Sequence, residues 1–88
     1  MNDIDLEPHR VKIDNTEHNT DIHTIYFMAD EWTTRQARAW LKRHNFKPIK
    51  RVHHQGNELR YRLRDPKLFR DFRTRKIGQG IYFVFGIY

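Results

Sequence analysis

Asp65-Pro66-Lys67-Leu68-Phe69-Arg70-Asp71-Phe72-Arg73-Thr74-Arg75-Lys76-Ile77-Gly78 is the stretch on which the architecture turns. Asp65 is a favoured N-cap and Pro66 a favoured first helical residue. Leu68, Phe69 and Phe72 supply an apolar face, while Arg70, Arg73, Arg75 and Lys76 lie elsewhere around the cylinder. Gly78 and Gly80 end the element. The residues predict a helix opening at Asp65-Pro66.

Immediately before it, Leu59, Tyr61 and Leu63 alternate with Glu58, Arg60, Arg62 and Arg64. Alternate side chains of a strand point to opposite faces, so this is an amphipathic strand with three guanidinium groups on its outer face. Gln55-Gly56-Asn57 reads as a tight turn joining it to an earlier strand over 47–54, whose start Pro48 confines to an edge. On the other side of the opening stretch, Ile81-Tyr82-Phe83-Val84-Phe85 is the most apolar run in the chain and reads as a central strand.

Toward the N-terminus, Ile22–Met28 is strand-like, with Ile25, Tyr26 and Phe27. Thr33 and Gln36 have capping-box spacing. Ala37, Trp40, Leu41 and His44 then form a helical stripe, closed by Asn45 as a left-handed cap with Pro48 beyond. Arg35, Arg38 and Lys42 share the opposite face of that helix. The order βαββαβ predicts an α+β, ferredoxin-like split βαβ fold: a four-stranded antiparallel sheet with two helices on one face. Residues 1–21 hold isolated Ile4, Leu6, Val11 and Ile13 and read as a flexible acidic arm with one short strand near Val11–Ile13. Residues 22–88 form the basic domain.

The net charge of +6 is unevenly spread. Residues 1–31 hold eight acids against two bases, a net −6. Residues 32–88 hold fifteen bases against three acids, a net +12. A basic body implies an anionic partner, nucleic acid first, with solubility as the plainer explanation. An acidic arm is also able to fold back on that body and compete. Cysteine is absent, which excludes disulfides, thiol catalysis and cysteine-based zinc sites. Serine is absent too, and Glu58, Asp65 and Asp71 are scattered, so no nucleophile motif or paired carboxylates mark an enzyme. His9, His18, His23, His44, His53 and His54 show no zinc-site spacing, and Gly78-Gln79-Gly80 is too short to cradle a phosphate, so no cofactor or metal is expected. No apolar run approaches the roughly 20 residues of a membrane span, and no secretory leader is expected.

Trp32-Thr33, Ala37, Trp40-Leu41, His44 and Phe46, followed by Tyr61-Arg62-Leu63-Arg64-Asp65-Pro66, Phe69, Phe72-Arg73-Thr74, Gly78, Gly80-Ile81 and Gly86, form a longer pattern. Over about residues 25–86 it resembles a small module of tailed bacteriophages and prophages, stand-alone or attached to head-associated proteins. The resemblance implies a viral, non-catalytic protein, and the absence of cysteine suits the reducing host cytoplasm. It carries no binding residues with it.

Two basic surfaces compete. Arg60, Arg62 and Arg64 line the expected open sheet face. If Phe83 and Phe85 are core, Tyr82 joins them there, with Tyr26 as a neighbour. If Tyr82, Val84 and Tyr88 are core instead, it does not. Arginines and aromatic rings on an open sheet hold single strands by phosphate contact and base stacking. Arg35, Arg38 and Lys42, with Arg70, Arg73 and Arg75 on the second helix, would instead grip duplex phosphates. The expectation is a phosphate-directed nucleic-acid binder of low specificity. The rival is a protein-interaction module, in head assembly or against an acidic host or phage protein, and an open sheet also suits a homodimer.

Overall fold

In chain order the computed structural model runs β1 (Arg10–Ile13), β2 (Thr16–Met28), α1 (Thr34–Arg43), β3 (His53–Gln55), β4 (Glu58–Arg62), a single 3-10 turn (Pro66–Leu68), β5 (Asp71–Gly78) and β6 (Ile81–Ile87). It describes the backbone of residues 10–13 and 16–88 and the side chains of 19–88. The strands form an antiparallel sheet in the order β3-β4-β2-β6-β5, with β1 pairing the start of β2. The expected flexibility of residues 1–9, 14 and 15 lies outside the described residues.

The ferredoxin-like plan is overturned: there is one α-helix among the described residues, and the expected second helix is a strand. The start signal was sound but local. The Asp65 carboxylate accepts from the Lys67 N–H at 2.9 Å, and one 3-10 turn follows. Phe69 is already extended, at φ −117° and ψ 149°. Its ring is buried on Gly86, where a Cβ would overlap it. The chain then pairs with β6 from Asp71↔Ile87 to Gly78↔Ile81. An apolar strand needs hydrogen-bonding partners along both edges, and β5 supplies the second. Gly78-Gln79-Gly80 is therefore a hairpin turn, not a helix terminus. Gly80 adopts φ +65°, the left-handed region open to glycine.

As an edge strand, β5 is guarded by its own side chains. Asp71 accepts from the Phe72 N–H at 2.8 Å, and Arg73 donates to the Phe72 carbonyl and to Asp71. The Phe72 amide, then Arg73, hold the Asp71 carboxyl below the usual carboxylate range.

Other expectations stand. Thr33 and Gln36 close a capping box on α1, and Asn45 has φ 62°. Ala37, Trp40 and Leu41 face the sheet. The β3–β4 hairpin turns at Gly56-Asn57, although the strand expected over 47–54 shrinks to His53–Gln55. Pro48 has no N–H, and the chain before His53 makes one sheet-like bond, from the Ile49 N–H to the Arg62 carbonyl. β2 starts earlier than Ile22, so Thr16–Asp21 is strand.

One face of the sheet packs on α1. Ile25 and Phe27 of β2, Leu59 and Tyr61 of β4, and Ile81, Phe83 and Phe85 of β6 meet Trp40 and Leu41. Phe27 is in edge contact with both Trp40 and Tyr61. The Tyr61 hydroxyl is buried there with no hydrogen-bond partner, and burial raises its pKa. The opposite face carries no covering helix among the described residues.

A candidate anion and base-stacking face

Residues directly opposite in antiparallel strands share a face. Register therefore aligns one row across all five strands of the main sheet: His53↔Arg60, Arg60↔Tyr26, Tyr26↔Tyr82 and Tyr82↔Lys76. The row lies on the face away from α1, because the adjacent Leu59, Phe27 and Phe83 are in the core. The alternation of β4 and the burial of Phe83 and Phe85 thus put Arg60, Arg62 and Tyr82 on one surface.

The rings stand on edge along this row. Tyr26 and Tyr82 stack with centroids 4.9 Å apart and planes 8° from parallel. The Arg60 guanidinium covers the other face of Tyr26, its Cζ 4.8 Å from the ring centre. Arg60 also pairs with Glu58. Tyr82 meets no second ring among the described residues, and Lys76 stands opposite it in register. Burial and the Glu58 charge raise the Tyr26 pKa, leaving it a neutral hydroxyl.

Arg64 does not continue the arginine row. β4 ends at Arg62, and the N–H groups of Leu63 and Arg64 both bond to the His23 carbonyl. The Arg64 guanidinium then reaches across to the Ile22 carbonyl at 2.7 Å and to Asp21 at 3.6 Å. Arg64 serves as a clasp between β2 and the chain leaving β4. The Tyr88 hydroxyl joins it by donating to Asp21, and that bond raises the tyrosine's pKa.

Arg35, Arg38 and Lys42 are exposed on α1, on the far side of the sheet from the tyrosine row. The arginines expected to complete a helical duplex clamp do not join them on a second helix. Arg70 donates to the Tyr88 carbonyl, and Arg73 is held by Asp71. Arg73 and Arg75 sit on the edge strand opposite Phe85 and Phe83.

Sequence reasoning missed Lys76, which only a strand at 71–78 brings beside Tyr82. It also missed Lys50 and Arg51, hidden inside an expected strand, although the cluster Lys47, Lys50, Arg51 was a signal of a charged loop. His23 is the third omission. β2 shifts register against β6 between Ile22 and Thr24, so His23 is the extra residue of a bulge. Its ring leans on Phe72 at 5.1 Å and Phe69 at 6.1 Å, with Nε2 buried and without a partner. Burial first, then the Arg62 and Arg60 guanidiniums, lower its pKa from the ordinary 6.5, and Asp65 opposes them.

The folded state therefore binds the His23 proton more weakly than the unfolded chain. This contribution to stability is fully present above about pH 6.5 and is lost as pH falls toward and through the lowered folded value. In denaturant titrations at about pH 7.5 and pH 5, the His23→Gln variant is expected to lose less stability on acidification than the parent chain. Equal losses would remove His23 from the acid sensitivity.

Among the described residues no group of three acidic or histidine side chains is placed to hold a metal, and no helix is long and apolar enough to cross a membrane. Comparison with protein-family models, curated proteins and solved structures finds no match.

Proposed function

We propose that the protein binds nucleic acid, single strands above all, with the sheet face opposite α1. The observation that carries this reading is the row His53–Arg60–Tyr26–Tyr82–Lys76, a stacked pair of rings flanked by cations on a sheet face that no helix covers among the described residues. Cations supply the sequence-independent phosphate term, and an exposed ring face accepts any base. Arg62, one turn of the pleat from Arg60, extends the basic strip. On this reading the chain is a small, non-catalytic phage protein acting in the host cytoplasm.

Anisotropy titrations with matched single- and double-stranded oligonucleotides at two salt concentrations test it. Three or four phosphate contacts predict a log–log salt slope of roughly −2 to −3 for single strands. Tighter single-strand binding is expected. No binding to either at low salt would sink the proposal. It would favour the protein-interaction reading, which draws on exposed Leu68, Phe72 and Tyr88 beside one end of the sheet.

A further inference from the structure

The row of stacked planes runs into a concavity of about 590 Å³ at the β3–β4 edge, whose lining includes His23, Lys50, Arg51, His53, Arg60 and Arg62. No carboxylate is among its lining residues. Arg60 is already engaged with Glu58 and Tyr26. The side chains of Lys50, Arg51 and Arg62 make no hydrogen bond or ion pair with the described residues. Such a concentration of like charge around a recess is relieved when an anion enters, and low-dielectric walls focus the field there.

The shape narrows the choice of anion. The segment before β3 crosses beside β4, held by the Ile49 N–H to the Arg62 carbonyl at 2.9 Å, and walls the recess on one side. The recess shares His53 and Arg60 with the tyrosine row. Thr24 and Gln55 add neutral polar groups to the lining. A phosphomonoester, with up to two charges and three terminal oxygens, uses several convergent cations at once, as one diester does not.

We propose that this recess binds a phosphomonoester dianion, the terminal phosphate of a strand or a free phosphate. The strand-end form rests on the nucleic-acid reading of the sheet face; the site itself does not. The His23 ring at the edge of the recess, its Nδ1 3.0 Å from the Thr24 hydroxyl and its Nε2 without a partner, is the built-in reporter, because an anion offsets the Arg62 and Arg60 charges that now disfavour its protonation.

The test compares one short single-stranded oligonucleotide carrying a 5′-phosphate, a 3′-phosphate or neither. Inorganic phosphate is titrated in parallel while the His23 and His53 imidazole signals are followed by NMR. A terminal phosphate at one end is expected to tighten binding about tenfold, and inorganic phosphate to move both imidazole signals. In Lys50→Gln and Arg51→Gln, both exposed positions, the ratio of phosphorylated to unphosphorylated affinity should fall toward one. Imidazole shifts with no oligonucleotide binding would support the site with free phosphate as its ligand, while removing the nucleic-acid reading. Equal affinity for all three oligonucleotides together with unmoved imidazole signals would overturn the proposal, whatever the strand affinity.

Discussion

Gly86→Ala is expected to lower stability by about 2–3 kcal/mol, because a Cβ there would overlap the Phe69 ring. Phe69 has nowhere else to go. Its ring is buried between Gly86, His23, Phe72 and Tyr88, with centroid distances of 6.1, 5.9 and 5.0 Å to the three rings. Gly86 lies in β6 between Asp21 of β2 and Phe72 of β5, so the backbone cannot move without opening both ladders. A domain of this size has about 4–13 kcal/mol of stability in total, so the loss is a large fraction. Urea titration of the parent and variant measures it. Phe69→Leu in the Gly86→Ala background frees part of the space. The double variant should therefore be more stable than the summed single costs imply. A Gly86→Ala variant within about 0.5 kcal/mol of the parent would show that Phe69 does not need the glycine.

That contact also explains why the opening stretch reads wrongly as sequence. Asp65 and Pro66 are a real cap, and they make the turn that they encode. Whether one turn becomes a helix depends on where Phe69 finds burial, and its site is a glycine in a strand still to come. The strand it enters has no burial period to read: Asp71 to Lys76 are all exposed. Its strand state comes from the unpaired edge of β6, a demand made by tertiary structure. By contrast, α1 announces itself through Thr33, Gln36 and the Ala37–Trp40–Leu41 stripe, since each of those signals is satisfied within the helix or by its own buried face.

The site divides in the same way. The placement of Arg60, Arg62 and Tyr82 on one surface was legible because alternation is a local rule, and the burial of Phe83 fixed its sense. Arg64 obeyed the same alternation on paper. It left the row because β4 stops two residues earlier, where the His23 bulge takes the next two amides. No local pattern marks a bulge in the partner strand. Tyr26 falls beside Tyr82 as the strand reading expects, whereas Lys76 needed a fifth strand paired to β6, information that arises with the sheet.

Tyr82→Ala is expected to weaken single-strand binding by about 1–3 kcal/mol, roughly 5- to 150-fold, with the salt slope unchanged. The geometry singles out this ring. Tyr26 has Arg60 on one face and Tyr82 on the other, so neither of its faces is open to a base. Tyr82 has one face spent on Tyr26 and meets no second ring among the described residues. Removing it deletes the available platform but no cation, which is why affinity and slope separate. Lys76→Gln should do the reverse: a smaller loss, with the slope reduced by about 0.7 for one lost phosphate contact. Both positions are partly or fully exposed, and thermal unfolding can confirm that the fold is kept. The comparison variant replaces Arg35, Arg38 and Lys42 together with glutamine on the far side of the sheet. A general loss of positive field predicts a modest weakening there. If that triple variant abolishes binding while Tyr82→Ala leaves it intact, the binding surface is α1 and not the sheet.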